Sequence, residues 1–336
     1  MSLDPSVVLA ADGSHHLLAS PQTVHWGYFS AAQAPALTIR SGERVTIETI
    51  SGGPPSLPGE GFEIPAEYAA IHAAVVPPLG TGHILTGPVA VEGARPGQVL
   101  KVEIEAIELR TDWGWNMIRP TSGAIHHAVT EPRIKTIPLD KAAKTAALPW
   151  GGTLPLAPFF GVMGVAPPAG WGMQSTLPPG AFGGNLDNKE LVAGTTLYLP
   201  VMVPGALFSC GDGHAVQGDG EVCVTAIETS LTGTFRLTLL DGFPTAVPAA
   251  ETATHLVAMG LDVDLDDAAT QALQRMIDWI VALTATTAQP VSAEDAYRLC
   301  SLACDLRITQ VVNGVKGVHA MLPLSALPPA CTAAVP

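Results

Sequence analysis

Thirty prolines and 34 glycines punctuate the 336 residues, so few candidate elements run far without meeting one of them. Proline lacks the N–H that a helix interior needs, and glycine costs about 1 kcal/mol there relative to alanine. The chain is therefore expected to fold into many turns and short strands, with long helices the exception. Hydrophobic residues make up 47% and charged residues 14%, with a mean hydropathy of +0.32, which excludes a disordered polyampholyte. This length supports one large domain or two ordinary ones around a sizeable core.

From Thr38 to Leu109 the sequence alternates β-branched and polar residues between turn signals, and it is expected to form an antiparallel β unit. Within it VLKVEIEAIEL has period two, with Leu100, Val102, Ile104 and Ala106 opposing Val99, Lys101, Glu103 and Glu105. From about Ser122 to Gly194, proline and glycine break every candidate element, which reads as functional loops. Strands resume at TTLYLPVMV and GEVCVTAIETSLTGTFRLTLL. Helices are expected only late, at DDAATQALQRMIDWIVALT, with Asp266 and Asp267 near its positive end, and after Ser292, where SAED has capping-box-like spacing. LRITQVV follows as one more strand. The expected layout is a single unit, with a β-rich body over 20–245 and a helical segment with a returning strand over 246–325.

A formal net charge of −14 and a pI near 5.0 disfavour a nucleic-acid partner, because the field of the protein repels phosphates. No apolar run reaches roughly 18 residues without proline or charge, so no membrane span is expected, and the start shows no basic segment followed by an apolar one. The expected location is cytoplasmic. The cysteines, Cys210, Cys223, Cys300, Cys304 and Cys331, are odd in number and form no CxxC pair, so reduced thiols are expected, with Cys300 and Cys304 filling an apolar helix face.

GxxxxGK[ST], GxSxG and HExxH are all absent, and GTGHILTG lacks the spacing of a dinucleotide loop. Oxygen and imidazole clusters remain. In GDGHAVQGDGE a strand places Asp212 and His214 on one side, and the turn from Gly218 to Gly220 can return Glu221 toward them. One imidazole and two carboxylates suit a divalent metal, while the same spacing suits a hairpin whose polar groups face solvent. In GGNLDN, Asn185 and Asp187 can share a face, or can form an Asx-turn. His25, His83 and Glu92 stand alone in their segments, and lone histidines are more often structural than ligands.

Taken in order, VHWGYF, TGPVAVEGARPGQVL, PFFGVMGVAPP, GGNLDNKELVAGTTLYLPV, GALFSCGDGHAVQGDGE and YRLCSLACDLRITQVVNGVKGVHAMLP resemble the acetamidase/formamidase family, over roughly residues 25 to 325. The resemblance implies a mainly β, α+β fold: a jelly-roll-like β-sandwich or barrel with smaller α+β additions. It also implies a small amide substrate, a divalent metal and a homodimer. Asn185, Asp187, Asp212, His214, Gln217, Gly218, Glu221, His25 and Glu92 fall on the family pattern. The working assignment takes Asp187, Asp212 and His214 as metal ligands, with zinc first and calcium or manganese as alternatives. Glu221 or Glu92 is then the general base, and Asn185 and Gln217 hydrogen-bond the carboxamide. Cys210, in an acidic segment, is expected to be a small apolar neighbour rather than a nucleophile. A metal enzyme acting on a cyclic amide or a lyase substrate, and a non-catalytic binding module, are the alternative readings. Trp26, Phe29, Trp113, Trp115, Phe159, Phe160 and Phe182 are candidates to line a pocket.

Overall fold

The computed structural model describes residues 6–10, 13–243 and 247–328. Its organising strand is Leu231–Leu240, which alternates buried and half-buried positions over most of its length. It pairs antiparallel with Arg44–Glu48 on one side and with Val99–Leu109 on the other. Beyond Val99–Leu109 the sheet continues through Thr196–Pro200, Ala249–Glu251, His255–Asp262, Lys316–Pro323 and Asp305–Gln310. The helical segment thus shares one unbroken sheet with the body.

A smaller sheet runs in the order Gly183–Asn185, Phe159–Gly164, Phe208–His214, Ile84–Val91, Val24–Trp26. Leu100, Val102, Ile104 and Phe235 of the large sheet pack with Leu85, Val89, Val162 and Phe208 of the smaller one. Phe235 sits between Phe160 and Phe208, with ring centroids 5.5 and 5.7 Å away. Each such fully buried side chain contributes about 1.5–3 kcal/mol relative to exposure. The result is an open β-sandwich, and no closed barrel forms among the described residues.

The stretch from Thr38 to Leu109 is not the local antiparallel unit that its alternation implied. Leu37–Ile39 pairs parallel with Ile84–Val91 in the smaller sheet, while Arg44–Glu48 and Val99–Leu109 join the large one. Alternation in Val99–Leu109 holds to Ile104, then a bulge opposite Thr234/Phe235 shifts the phase. Ile107 and Leu109 consequently pack on the core where Ala106 was expected. The supposed loop region also carries strands, including Arg133–Asp140, Thr145–Ala147 and Phe159–Gly164. Short pairing survives between the breakers because each strand needs few residues.

Helices Leu265–Thr284 and Ala293–Ala303 match the late amphipathic patterns. Asp264 is the N-cap of the first, accepting from Asp266 and Asp267 N–H, so those two acids occupy the first turn instead. Met276, Trp279 and Ile280 bury against Leu256, Ala258 and Ala320 of the large sheet. A short helix, Tyr68–Ala74, was not expected from the sequence. Cys300 is buried in the second core and Cys304 packs beside it, while Cys331 lies outside the described residues. No helix among the described residues is long and apolar enough to cross a membrane.

Candidate active site

The site is built on the outer face of the smaller sheet. In Phe159–Gly164, Phe160 and Val162 enter the sandwich core, so Gly161 faces the other way. A Cβ at Gly161 would lie 2.5 Å from Asp187 Oδ1, 2.7 Å from Asp212 Oδ2 and 2.9 Å from His214 Cε1. Glycine therefore leaves a cradle that any other residue would fill.

Asp212 and His214 come from the neighbouring strand, Phe208–His214, whose Phe208 and Cys210 are core residues. Continued alternation would send Asp212 into the core as well. Asp212 instead takes a left-handed φ of 55°, and it is Gly213 whose Cβ would press on Leu231, 2.6 Å from its Cγ. Asp187 and Glu221 also have left-handed backbone, φ 46° and 43°. Three acidic residues of one site held in a sparsely populated conformation mark local strain characteristic of functional positions.

The expected ligands converge. His214 Nε2 lies 3.4 Å from Asp212 Oδ2 and 3.9 Å from Asp187 Oδ1. Glu228, which the sequence did not single out, lies nearer, with Oε2 at 3.3 Å. Its only signal is a lone acid in the otherwise uncharged run VTAIETSL. Glu228 is fixed by backbone pairing with Trp115: each residue's N–H donates to the other's carbonyl, at 2.9 and 2.8 Å. Two triads, Asp187–Asp212–His214 and His214–Glu221–Glu228, each bring their potential ligand atoms within 4.8 Å of one another.

Gln217 supports this arrangement from behind. Its Nε2 donates to the Asp187 carbonyl at 2.8 Å, and its Oε1 lies 2.9 Å from His214 Nδ1. Asn313 Nδ2 donates to Asp187 Oδ2 at 2.6 Å. Asn185 donates through Nδ2 to the Leu177 carbonyl at 2.9 Å, leaving Oδ1 without a partner. His83 Nε2 stands 3.6 Å from Asp212 Oδ2, while its Nδ1 is 3.1 Å from the Thr176 carbonyl. At the site Asp187 Oδ1, His214 Nε2 and Glu221 Oε2 are also buried without hydrogen-bond partners, as is Nε1 of Trp115 in the cavity wall.

The electrostatics follow from burying four carboxyl groups with one imidazole. Burial pushes Glu221 well above the usual carboxylate range, and Asp187 adds to the effect. Burial likewise raises Glu228 to about 7 and lifts Asp187. Burial would raise Asp212 too, but the nearby His83 and His214 imidazoles, with Glu228 adding to them, draw it below the ordinary range. Burial would lower His214, yet Glu228 and Asp212 hold it well above the usual imidazole value. A buried acidic cluster of this kind, with unpartnered donor atoms around an open cradle, fits a divalent cation.

The cluster forms the floor of a cavity of about 540 Å³. Asn185, Asp187, Asp212, Glu221, Glu228, Asn313 and His83 line it. Of the seven aromatic candidates, only Trp26 and Trp115 do so; Phe29, Trp113, Phe159, Phe160 and Phe182 are buried packing residues. Glu92 is exposed beyond the end of Ile84–Val91 and is not brought to the cavity, so its placement as a base does not stand. His25 is buried against Ser209 Oγ at 3.0 Å, and Cys210 is buried with its thiol pushed up by desolvation. Neither lines the cavity.

The acetamidase/formamidase family model matches residues 34–171 and 169–327. A formamidase from Methylophilus methylotrophus is 29% identical over 191 residues, 42% of this chain and 47% of that protein. The chain spans less than half the length of the curated relatives it matches. The crystal structure of acetamidase from Bacillus halodurans superposes with a TM-score of 0.78 at 32% identity, covering 92% of this chain and 98% of that one. An acetamidase structure from Yersinia enterocolitica gives 0.80 at 28% identity, over 98% of both chains. With both halves of the sequence matched and the sandwich shared, this chain belongs to the acetamidase/formamidase family.

Proposed function

We propose that the chain hydrolyses a small primary carboxamide to its carboxylate and ammonia, with a divalent cation, zinc first, held by Asp187, Asp212 and His214. The observation that carries this reading is the set of buried, unpartnered atoms, Asp187 Oδ1, His214 Nε2 and Glu221 Oε2, gathered near the cradle that Gly161 leaves open. When bound, such a cation supplies Lewis-acid polarisation and offsets the charge of the carboxylates. Manganese or calcium also suits a set this rich in oxygen.

The chain's own residues divide the remaining work. Gln217 orients His214, and Asn313 holds the second oxygen of Asp187. Asn185 Oδ1 is free to accept an N–H from the substrate amide, because its Nδ2 is already committed to Leu177. Glu221 lines the cavity with an unpartnered oxygen and a raised pKa. It takes the proton from the attacking water and returns it to the departing nitrogen as the C–N bond breaks. One oxygen of Glu228 accepts the Ala226 N–H at 3.0 Å, and the other lies 3.3 Å from His214 Nε2. That backbone anchor suits Glu228 to a positioning role.

The test is ammonia release from short amides, before and after metal removal and with zinc, manganese or calcium restored. Release that depends on the cation is the expected result, and a folded, metal-loaded protein that releases none would overturn the reading. The family resemblance further leads us to propose a cytoplasmic homodimer, which sedimentation and cell fractionation would test.

A further inference from the structure

Part of the cavity wall above the acidic floor is apolar, beside polar lining that includes Arg119, Ser51, Thr81 and Thr225. Trp26, Ile84, Trp115, Met117, Leu177 and Val224 contribute to the apolar part. Trp115 and Met117 share one face of Trp113–Ile118, and the backbone of Trp115 is paired with Glu228 at the floor. Moving two residues along a strand advances about 7 Å, so the apolar wall extends about that far beyond the reacting centre. The methyl group of acetamide would reach only the start of it.

Trp26 is held by a hydrogen bond, whereas the Trp115 Nε1 is buried without a partner. Trp26 Nε1 donates to the Gly82 carbonyl at 2.8 Å. The Trp115 indole edge lies over Gly52, where a Cβ would come within 2.9 Å of its Nε1 and would also collide with Ser56 Oγ. The two rings offer flat apolar surface to a planar group, and the tethered Trp26 spares the entropic cost of ordering it on binding. The volume agrees. At about 30 Å³ per water-sized group, acetamide fills roughly 100 Å³, whereas a cavity of about 540 Å³ lies in the range that holds drug-sized ligands.

We propose, on the reading of this site as an amidase site, that its substrate is a primary carboxamide with an aryl-bearing acyl group seated against Trp26 and Trp115. The test compares 2-phenylacetamide and benzamide with acetamide and formamide, by kcat/KM for ammonia release and by calorimetric binding to the metal-loaded protein. The arylamides are expected to exceed acetamide by about tenfold or more. Trp26→Leu and Trp115→Leu are each expected to shrink that ratio about fivefold or more. Should a variant fail to fold, the wild-type ratio and the binding data decide. Turnover of acetamide or formamide with no preference for the arylamides would overturn the proposal and leave the amidase reading intact. Arylamide binding without turnover of any amide would sink the amidase reading and support the aryl pocket. Neither binding nor turnover would overturn both.

Discussion

Gln217 determines which nitrogen of His214 faces the acidic cluster. Its Nε2 is committed to the Asp187 carbonyl at 2.8 Å, so its Oε1, 2.9 Å from His214 Nδ1, must accept the Nδ1 proton. Nε2 is thereby turned toward Asp212 and Glu228. Gln217→Leu is expected to weaken metal retention about 10–100-fold, the usual cost of losing an orienting partner. Gln217→Glu, which keeps an acceptor, should recover part of that loss. Metal content after dialysis against graded chelator measures both, and equal retention in all three proteins would refute the assignment.

Gly161 has no left-handed backbone to demand glycine, so the reason for it is space. A methyl there would intrude on Asp187, Asp212 and His214 together, its nearest contact being 2.5 Å. Gly161→Ala is expected to cut ammonia release about 100-fold or more, since a 1 Å displacement of reacting groups has that effect. Thermal unfolding of the same variant should shift far less than its activity. A fully active Gly161→Ala protein would show that the cradle is not the site.

Much of this was legible locally. Period two identified Val99–Leu109 as a strand, and glycine turns returned Glu221 toward His214. Periodicity is blind to partners, however, so it could not sort the strands between Thr38 and Leu109 into two sheets. Asp187 reached the metal assignment through likeness to a family, because no local rule spans the distance to Asp212. Glu228 was overlooked because pairing with Trp115, over a hundred residues away, is what aims it inward. Glu92 came with the family pattern alone, and the turn after Val91 leaves its carboxylate exposed and away from the cavity.

Glu221 and Glu228 differ in what already occupies their oxygens, and their variants should differ accordingly. Glu221→Gln keeps the shape and removes the base, so kcat should fall about 10²–10⁴-fold. The base must be deprotonated to act, and burial raises Glu221 above the usual carboxylate range. A bound cation would lower Glu221 again, so activity should decline on acidification as Glu221 takes up its proton, and this limb should vanish in Glu221→Gln. Glu228→Gln should lower the rate while keeping the limb. A pH profile of kcat/KM for the three proteins measures this, and an unchanged limb in Glu221→Gln would return the role to another group.

His25 makes stability depend on pH independently of catalysis. Burial lowers its pKa to about 4 from an ordinary value of 6.5, against a smaller opposing effect from the Tyr28 backbone. Between those values the unfolded chain binds the proton and the folded chain does not, so stability rises with pH across that interval. The contribution is complete above about 6.5 and is lost as pH falls toward 4, amounting to about 3 kcal/mol at 1.36 kcal/mol per pKa unit. Burial lowers His319 to about 4 as well and adds a slope of the same sign, so the wild-type curve alone does not isolate His25. His25→Gln can keep a hydrogen bond to Ser209 while removing the titration, and it should flatten the dependence by about that amount. Urea unfolding at pH 7.5, 6 and 4.5 compares the slopes, and parallel curves for wild type and variant would show that His25 is charged inside the fold.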